Sequence, residues 1–144
     1  MVDLVLPRLR VASKKALLDE LARIAAPLAG LDRAQLLGAL QDRERLGCTG
    51  IGQGVAIPHA RFASIGSPIT MFARLAAPIM FDAVDGRRVD LVYLLLGPEV
   101  ASDAHLKTLA CAARLLRDPT ARHALRHAPD EAAIRAILAG EIHP

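Results

Sequence analysis

Apolar residues near the amino end of the chain recur at intervals of three or four, the spacing of a helix that buries one face. Leu17, Leu21 and Ile24 follow Ser13 in this way, so we predict a helix over 14–26 with Ser13 as its N-cap. The residues before Ser13 are irregular, which is typical of a terminal strand or tail.

A second helix is predicted directly after the first. Asp32 stands three residues before Gln35, as in a capping box, and the helix is expected to run to about Arg45 and to stop at Gly47. Its apolar face consists of leucines, Leu36, Leu37 and Leu40.

The middle of the chain has the pattern of β-structure. The glycine-rich sequence CTGIGQGVAIPHAR predicts a tight loop, then a short strand with an abrupt, exposed end at Pro58-His59. Apolar residues then alternate with a period of two from Ile69 to Leu75, which predicts a half-buried strand.

The next strand follows a turn signal at Asp85-Gly86. The run Val89–Leu96 is nearly all apolar, as expected of a central strand that is covered on both faces.

Helical spacing returns near the carboxyl end. A stripe of apolar residues follows Ser102, the predicted N-cap, and ends near Asp118; it consists of Leu106, Leu109, Ala113 and Leu116. Two shorter helices are predicted over 119–127 and 130–139, with a stop at Gly140. Strands in the middle and helices at both ends indicate an α/β layered fold. The pattern leaves open whether the sheet is purely parallel.

The size and composition of the chain limit its class. It has 144 residues, 53% apolar and 23% charged, which predicts a single domain over 1–144. The net charge of +3 is spread out, the densest clusters being Arg43–Arg45 and Arg87–Arg88, and aromatic residues make up only 3%. Nucleic-acid binding is therefore disfavoured, because it needs a concentrated basic face or aromatic stacking platforms.

The cysteines and the absence of long apolar runs predict the compartment. Cys48 and Cys111 form neither a C-x-x-C motif nor a disulfide framework, and no signal-peptide pattern is present. No apolar run approaches the roughly 20 residues of a membrane span. We predict a cytoplasmic protein that does not insert into membranes and whose thiols are reduced.

His59 is the first candidate for chemistry. Pro58 restrains Ile57 to an extended shape, and Ala60 is too small to cover the imidazole. A neutral imidazole is a good phosphoryl acceptor, because one ring nitrogen keeps its lone pair while the other holds the proton. If a backbone carbonyl accepts from the N–H side, the opposite nitrogen faces outward as a nucleophile. The motif alone equally allows an ordinary histidine in a surface turn.

His105 and Arg43 are the next candidates. His105 lies in the first turn of its predicted helix, where free N–H groups attract phosphate oxygens. The guanidinium of Arg43 suits two phosphate oxygens at once. Taken alone, each of them is more commonly a solvent-facing side chain. The same holds for the charged residues Glu44, Arg45 and Arg61.

Other constellations offer less. His123 and His127 are four residues apart and could share one helix face, but no third zinc ligand is evident. The glycines of GIGQG match neither the P-loop nor the dinucleotide fingerprint, and G-x-S-x-G is missing. We therefore expect no metal and no organic cofactor.

Three segments together carry a family resemblance. They are, in chain order, RERLGCTGIGQGVAIPHAR, IMFDAVDGRRVDLVYLLLGP and SDAHLKTLACAARLLRD. They resemble the IIA domains of the sugar phosphotransferase system, fructose–mannitol class, over about residues 5–140. The block G-I-G-x-G-x-A-I-P-H is specific, and V-D-L-V-Y-L-L-L-G-P is most similar to the nitrogen-regulatory branch.

The resemblance implies a fold and a set of site residues. The fold is a IIA type-2 domain, an α/β sandwich whose central mixed sheet is flanked by helices on both sides. His59 accepts phosphate from a phosphohistidine on an HPr-like carrier. His105 falls on the second active-site histidine, and Arg43 on the active-site arginine, next to Glu44.

The resemblance also shows departures. Ala60 and Arg61 stand where many relatives have Gly and Lys, and Gly97 stands where Val or Ala is frequent. No functional meaning follows for Gly97 from the sequence.

We therefore predict a phosphotransferase-system component that forms a phosphohistidine and regulates transporters, kinases or enzymes through its phosphorylation state. An apolar rim around the histidine is expected to receive the carrier; it comprises Val55, Ile57, Phe62 and Ile65. An alternative in the same family is a metabolic IIA that passes phosphate to a IIB domain for fructose- or mannitol-type uptake. An alternative of another class is an interaction module whose His59 is never phosphorylated.

Overall fold

The computed structural model describes residues 2–100 and 103–140, which form a six-stranded sheet and five helices. The strands are β1 (Leu4–Leu9), β2 (Gly50–Gly52), β3 (Val55–Ala56), β4 (His59–Phe62), β5 (Ile69–Ile79) and β6 (Val89–Pro98). The helices are α1 (Lys14–Ala29), α2 (Arg33–Leu46), α3 (Asp103–Arg117), α4 (Pro119–His127) and α5 (Glu131–Leu138). Among these described helices, none has the length and apolar character that a membrane span requires.

The sheet is mixed, and β6 is its central strand. The strand order is β1-β5-β6-β3-β2, with β4 also paired to β6. β6 runs antiparallel to β5 but parallel to both β3 and β4, and β1 runs parallel to β5. The expectation of a central strand covered on both faces is confirmed, because Val89 and 91–96 are buried.

Alternate residues of β6 divide the core into two layers. Leu94 and Leu96 pack with α1 and α2 on one face, whereas Tyr93 and Leu95 pack with α3, α4 and α5 on the other. This arrangement confirms the α/β sandwich with helices on both sides of a mixed sheet.

The first two helices begin where their caps predict. The Ser13 side chain accepts a hydrogen bond from the Ala16 amide at 3.1 Å, and Asp32 accepts one from the Gln35 amide at 3.3 Å. α1 continues past the predicted stop at residue 26 to Ala29, with Pro27 in its last turn. Gly30 then closes the helix with a φ of 64°.

Two sequence expectations are wrong in detail. β5 is not half-buried at its centre, because Thr70, Met71, Phe72 and Ala73 are all buried and the strand is covered on both faces. In α3 the predicted apolar stripe is displaced, since Leu106 is 56% exposed.

The buried residues of α3 are His105, Ala112 and Leu116. The helix begins by Asp103, as the sequence indicates, and its predicted cap at Ser102 lies outside the described residues. The two short helices after it form close to the predicted spans.

Candidate functional site

The candidate site lies at an interruption in a strand. β3 and β4 run along the same edge of β6 in one register, with Val55 opposite Leu91 and His59 opposite Leu95. Between them Pro58 has no N–H to donate, although its carbonyl still accepts from the Leu95 amide at 3.0 Å. The break therefore leaves His59 as the first residue of a new strand.

A tight hairpin delivers the chain to this break. β2 and β3 are joined by the two-residue turn Gln53-Gly54, whose φ values are 59° and 82°. Positive φ at both central positions matches the right-handed twist of a hairpin, and glycine adopts it without steric cost. The predicted tight loop is thus a β-hairpin.

Two hydrogen bonds define the tautomer of His59. Its Nδ1 lies 2.8 Å from the carbonyl oxygen of Ile57, and a carbonyl can only accept, so Nδ1 carries the proton. Its Nε2 lies 3.1 Å from Nε of Arg43, and a guanidinium can only donate. Nε2 is therefore the nitrogen that holds the lone pair.

The environment of His59 keeps the ring neutral. The sequence predicts an exposed His59, but in the structure the residue is half-buried. Burial is the main cause that lowers its pKa below the ordinary value, and the cations Arg43 and Arg61 act in the same direction. The hydrogen bond to Ile57 opposes this shift without reversing it. A neutral, oriented imidazole next to a cation is suited to nucleophilic attack on an anionic centre.

Arg43 reaches the site from the last turn of α2. Its Nη1 donates to the carbonyl oxygen of Gly47, the helix C-cap, at 2.8 Å, which leaves Nε directed at His59. A cation at a helix C-terminus is also favoured by the macrodipole. Arg43, one of the candidates from the sequence, therefore lies in direct contact with His59.

Glu44 has a structural role near the site that the sequence did not predict. Its side chain is only 7% exposed and forms a 2.8 Å ion pair with Lys14. It also accepts hydrogen bonds from the amide and hydroxyl of Thr49. The Thr49 carbonyl in turn accepts from the Ile57 amide at 3.0 Å. Glu44 thus links α1 and α2 to the segment that holds His59.

His105 lies in the first turn of α3 and is 3% exposed. Burial lowers its pKa below the ordinary value, and the nearby Arg61 and His59 add to this shift. His105 is thus a neutral, buried neighbour of the half-buried His59. The His105 ring lies against Gly97 of β6, where an added Cβ would overlap it. The sequence offers no reason for a glycine at this position.

The expected apolar rim is not present. Its four members are buried in the two core layers and cannot receive a carrier: Val55, Ile57, Phe62 and Ile65. These side chains instead form part of the hydrophobic core beneath the site.

The remaining candidates lie elsewhere or on the surface. Arg45 is exposed beside Asp42, and Arg61 is exposed on β4. His123 and His127 stack with ring centroids 4.2 Å apart on α4. Within residues 2–100 and 103–140, no three His, Cys, Asp or Glu side chains are grouped so as to hold a metal.

Known proteins resemble this chain over nearly its whole length. Residues 2–140 match the family model described as phosphoenolpyruvate-dependent sugar phosphotransferase system, EIIA 2. A nitrogen regulatory protein of Bradyrhizobium diazoefficiens is 47% identical over 137 residues, which cover 95% of this chain and 90% of that protein.

Two further proteins extend the comparison. The crystal structure of nitrogen regulatory protein IIA-Ntr from Neisseria meningitidis superposes with a TM-score of 0.88 at 38% identity, covering 94% of this chain and 92% of that one. The fructose-specific EIIA component of Haloferax volcanii is 33% identical over 129 residues, covering 89% of this chain and 84% of that protein.

Proposed function

Because the chain belongs to the EIIA 2 family of the phosphoenolpyruvate-dependent sugar phosphotransferase system, we propose that His59 is its phosphoryl acceptor, through Nε2. The protein is a phosphoryl carrier with a regulatory role, as its similarity to nitrogen regulatory proteins supports. The observation that carries the assignment to His59 is its pair of hydrogen bonds, which leave a lone pair on Nε2 beside Arg43.

The transfer requires one bond to form and one to break. The lone pair of Nε2 attacks phosphorus, and the bond between phosphorus and the donor nitrogen breaks in line with it. The electron pair of the broken bond returns to the donor imidazole. The proton on Nδ1 stays in place, because the Ile57 carbonyl accepts its hydrogen bond throughout.

Arg43 and His105 support this step in our proposal. Phosphoryl transfer needs positioning and charge stabilisation more than covalent assistance. Arg43 exchanges its hydrogen bond from Nε2 to a phosphoryl oxygen as the new bond forms, so its charge is already in place. His105, neutral and close to His59, contributes an N–H donor to another oxygen.

The donor is proposed to be a phosphohistidine of an HPr-like carrier. Phosphorylation adds about −1.5 to −2 charge to the face around His59, which can admit one partner and repel another. Transporters, kinases or metabolic enzymes are the class of partner that would read this change. We place the protein in the cytoplasm, which suits the two free thiols Cys48 and Cys111.

The test is phosphate transfer from phosphoenolpyruvate through enzyme I and an HPr-like carrier, followed by intact-mass measurement. We expect wild type to gain one phosphate and His59→Ala to gain none. His123→Ala is the matched control, because it removes an exposed imidazole from α4 and should be labelled like wild type. An unlabelled wild type would favour the non-phosphorylated interaction module, and labelling of His59→Ala would exclude this acceptor.

A metabolic IIA is the second candidate, and the similarity to a fructose-specific EIIA component favours it. In that case phosphorylated protein passes its phosphate to a IIB domain. Incubation of the labelled protein with purified fructose- and mannitol-type IIB domains distinguishes the two. Rapid loss of label to IIB indicates the metabolic role, and retention of label indicates the regulatory one.

A further inference from the structure

An open cavity of about 460 Å³ lies where β1, β5 and α4 meet. Its lining includes three arginines, Arg8, Arg74 and Arg126, and among the described residues only one acid, Asp90. Because Asp90 balances one of the three guanidinium groups, the cavity keeps an excess of two positive charges. A cleft lined by charges of one sign concentrates its electric field and attracts ions of the opposite sign.

Arg74, on β5, is held in place by three backbone carbonyls. Its Nε donates to Pro7 at 2.9 Å, and its Nη1 donates to Leu125 at 2.9 Å and to Ala128 at 2.7 Å. A guanidinium has five N–H groups, of which these hydrogen bonds use three. The two that remain are both on Nη2, which donates to no protein atom in the described part of the chain.

Arg126, on α4, has the same arrangement. Its Nε donates to the Asp90 carboxylate at 3.0 Å, and its Nη2 donates to Asp90 at 3.0 Å and to the Gln53 carbonyl at 2.6 Å. Its two remaining N–H groups are both on Nη1, which donates to none of the described residues. Nη1 of Arg126 and Nη2 of Arg74 are accessible rather than buried, and both residues line the cavity.

This arrangement is suited to the binding of an anion. The hydrogen bonds already made fix each guanidinium, so a ligand that accepts from the free edge orders little more of the side chain. Guanidinium N–H groups donate well to phosphate and carboxylate oxygens. The free N–H groups of the two arginines and the excess of two positive charges match an oxyanion that carries two negative charges.

The cavity is separate from the candidate site. Arg74 is paired with Leu91 of the central strand β6. His59 is paired with Leu95, four residues further along that strand. At about 3.3 Å per residue, the two positions are about 13 Å apart along the strand. A small anion in the cavity therefore does not occupy the place of a phosphoryl group on His59.

We propose that this cavity binds a small metabolite through a dianionic group, either a phosphate monoester or a pair of carboxylates. The free N–H groups of Arg74 and Arg126 donate to its oxygens, and the exposed Arg8 adds a third positive charge. The site goes beyond the proposed function of His59 and does not depend on it.

The test is an NMR titration of the wild-type protein that follows the Nε–H signals of Arg74 and Arg126. The probes are inorganic phosphate, glycerol 2-phosphate and succinate at millimolar concentrations, with sodium chloride at the same ionic strength as the control. We expect saturable shifts with at least one dianion and none with chloride. Tighter saturation by the phosphates indicates a phosphate monoester, and tighter saturation by succinate indicates a dicarboxylate. Equal shifts with chloride, or none with any probe, would overturn the inference.

Phosphate that binds beside Arg43 at the candidate site is a second source of shifts. The titration is therefore repeated with Arg43→Ala, in which the shifts of Arg74 and Arg126 should persist. Loss of those shifts would assign the binding to the candidate site and overturn the inference.

Two variants test the residues of the cavity with the probe that binds most tightly. Arg126→Lys keeps a positive charge beside Asp90 but removes the free N–H groups on Nη1, and the Kd should rise about tenfold, as expected when charged hydrogen bonds are lost. Arg122→Lys is the matched control, because Arg122 lies about one turn earlier on α4 and donates to the end of α3 instead. A Kd for Arg126→Lys that equals the Kd for Arg122→Lys would overturn the inference.

Arg8→Ala changes an exposed side chain, so it tests the cavity even if Arg126→Lys does not fold. Removal of this charge should raise the Kd about two- to fivefold. Arg10→Ala is its matched control, because Arg10 is equally exposed but does not line the cavity. Equal Kd values for these two variants would mean that the cavity does not attract the anion.

Discussion

Arg43→Ala is the most informative single change at the site. In the resting protein Nε of Arg43 donates to Nε2 of His59 at 3.1 Å, the nitrogen that we propose as acceptor. Removing the guanidinium has two opposed consequences. It releases the lone pair from a hydrogen bond, and it withdraws the charge that would meet the incoming phosphoryl oxygens.

The magnitudes decide between these two consequences. A donor directed at a transition state contributes about 2.7–4 kcal/mol. The ground-state hydrogen bond that it gives up has a charged donor and is worth about 1.5–3 kcal/mol. Between the midpoints of the two ranges, the balance of about 1.1 kcal/mol favours slower transfer, by about sixfold, since 1.36 kcal/mol is tenfold in rate.

The assay is the rate of phosphate transfer to His59 from a phosphorylated HPr-like carrier in a single turnover. Arg45→Ala is the matched control, because it removes the same charge two residues away, where Arg45 is exposed beside Asp42. The transfer rate of Arg43→Lys should lie between those of Arg43→Ala and Arg45→Ala, because lysine keeps the charge but lacks the planar guanidinium.

The same variant has a second, independent readout. Since Arg43 helps to lower the pKa of His59, its removal should raise that pKa towards the ordinary value in an NMR titration. If Arg43→Ala transfers as fast as Arg45→Ala, the role given to Arg43 at the transition state is wrong, whatever the titration shows.

Three further predictions concern stability in urea or on heating. Glu44→Ala should lower the free energy of unfolding by about 3 kcal/mol, because it leaves a partly buried Lys14 ammonium unpaired. Gly54→Ala should lower it by at least about 1–2 kcal/mol, since its φ of 82° is unfavourable for alanine, whereas Gly38→Ala should not. Burial lowers the pKa values of His59 and His105 below 6.5, so the unfolded chain binds more protons than the folded one and stability should decline as pH falls below 6.5.

Each of these has an outcome that would contradict it. An unchanged unfolding midpoint for Glu44→Ala would mean that the ion pair is replaceable by water. Equal stability of the two glycine variants would mean that the hairpin turn tolerates a side chain. Replacing both histidines should flatten the pH dependence just below 6.5, above the range in which carboxylates titrate. A curve that keeps its slope there would assign the effect to other groups.

Features determined by neighbours in sequence were predictable. The caps at Ser13 and Asp32 act within a single turn, and their hydrogen bonds form as expected. The bond from Nδ1 of His59 reaches a carbonyl only two residues away, which is why the orientation of the ring could be anticipated as a possibility.

Features determined by packing were not predictable, and α3 shows the reason. His105 is polar, so a pattern that counts only apolar residues assigned Leu106 to the buried face. The true buried face begins one residue earlier, with His105 followed by Ala112 and Leu116. A polar side chain in a core position had shifted the apparent phase of the helix. The contact with Gly97 was hidden for the same reason, since it joins a helix and a strand that the sequence could not bring together.

The charges around His59 explain how one phosphoryl group could alter recognition of the whole face. Arg43 and Arg61 are cationic neighbours of the ring, and the Glu44 carboxylate, which forms an ion pair with Lys14, opposes their effect on its pKa. Both imidazoles are held neutral by burial, so the resting face is positive because of its arginines. On the proposed function, about −1.5 to −2 added charge cancels that excess almost completely. A partner that binds one state through acidic groups would therefore lose its attraction in the other, without any change in the fold.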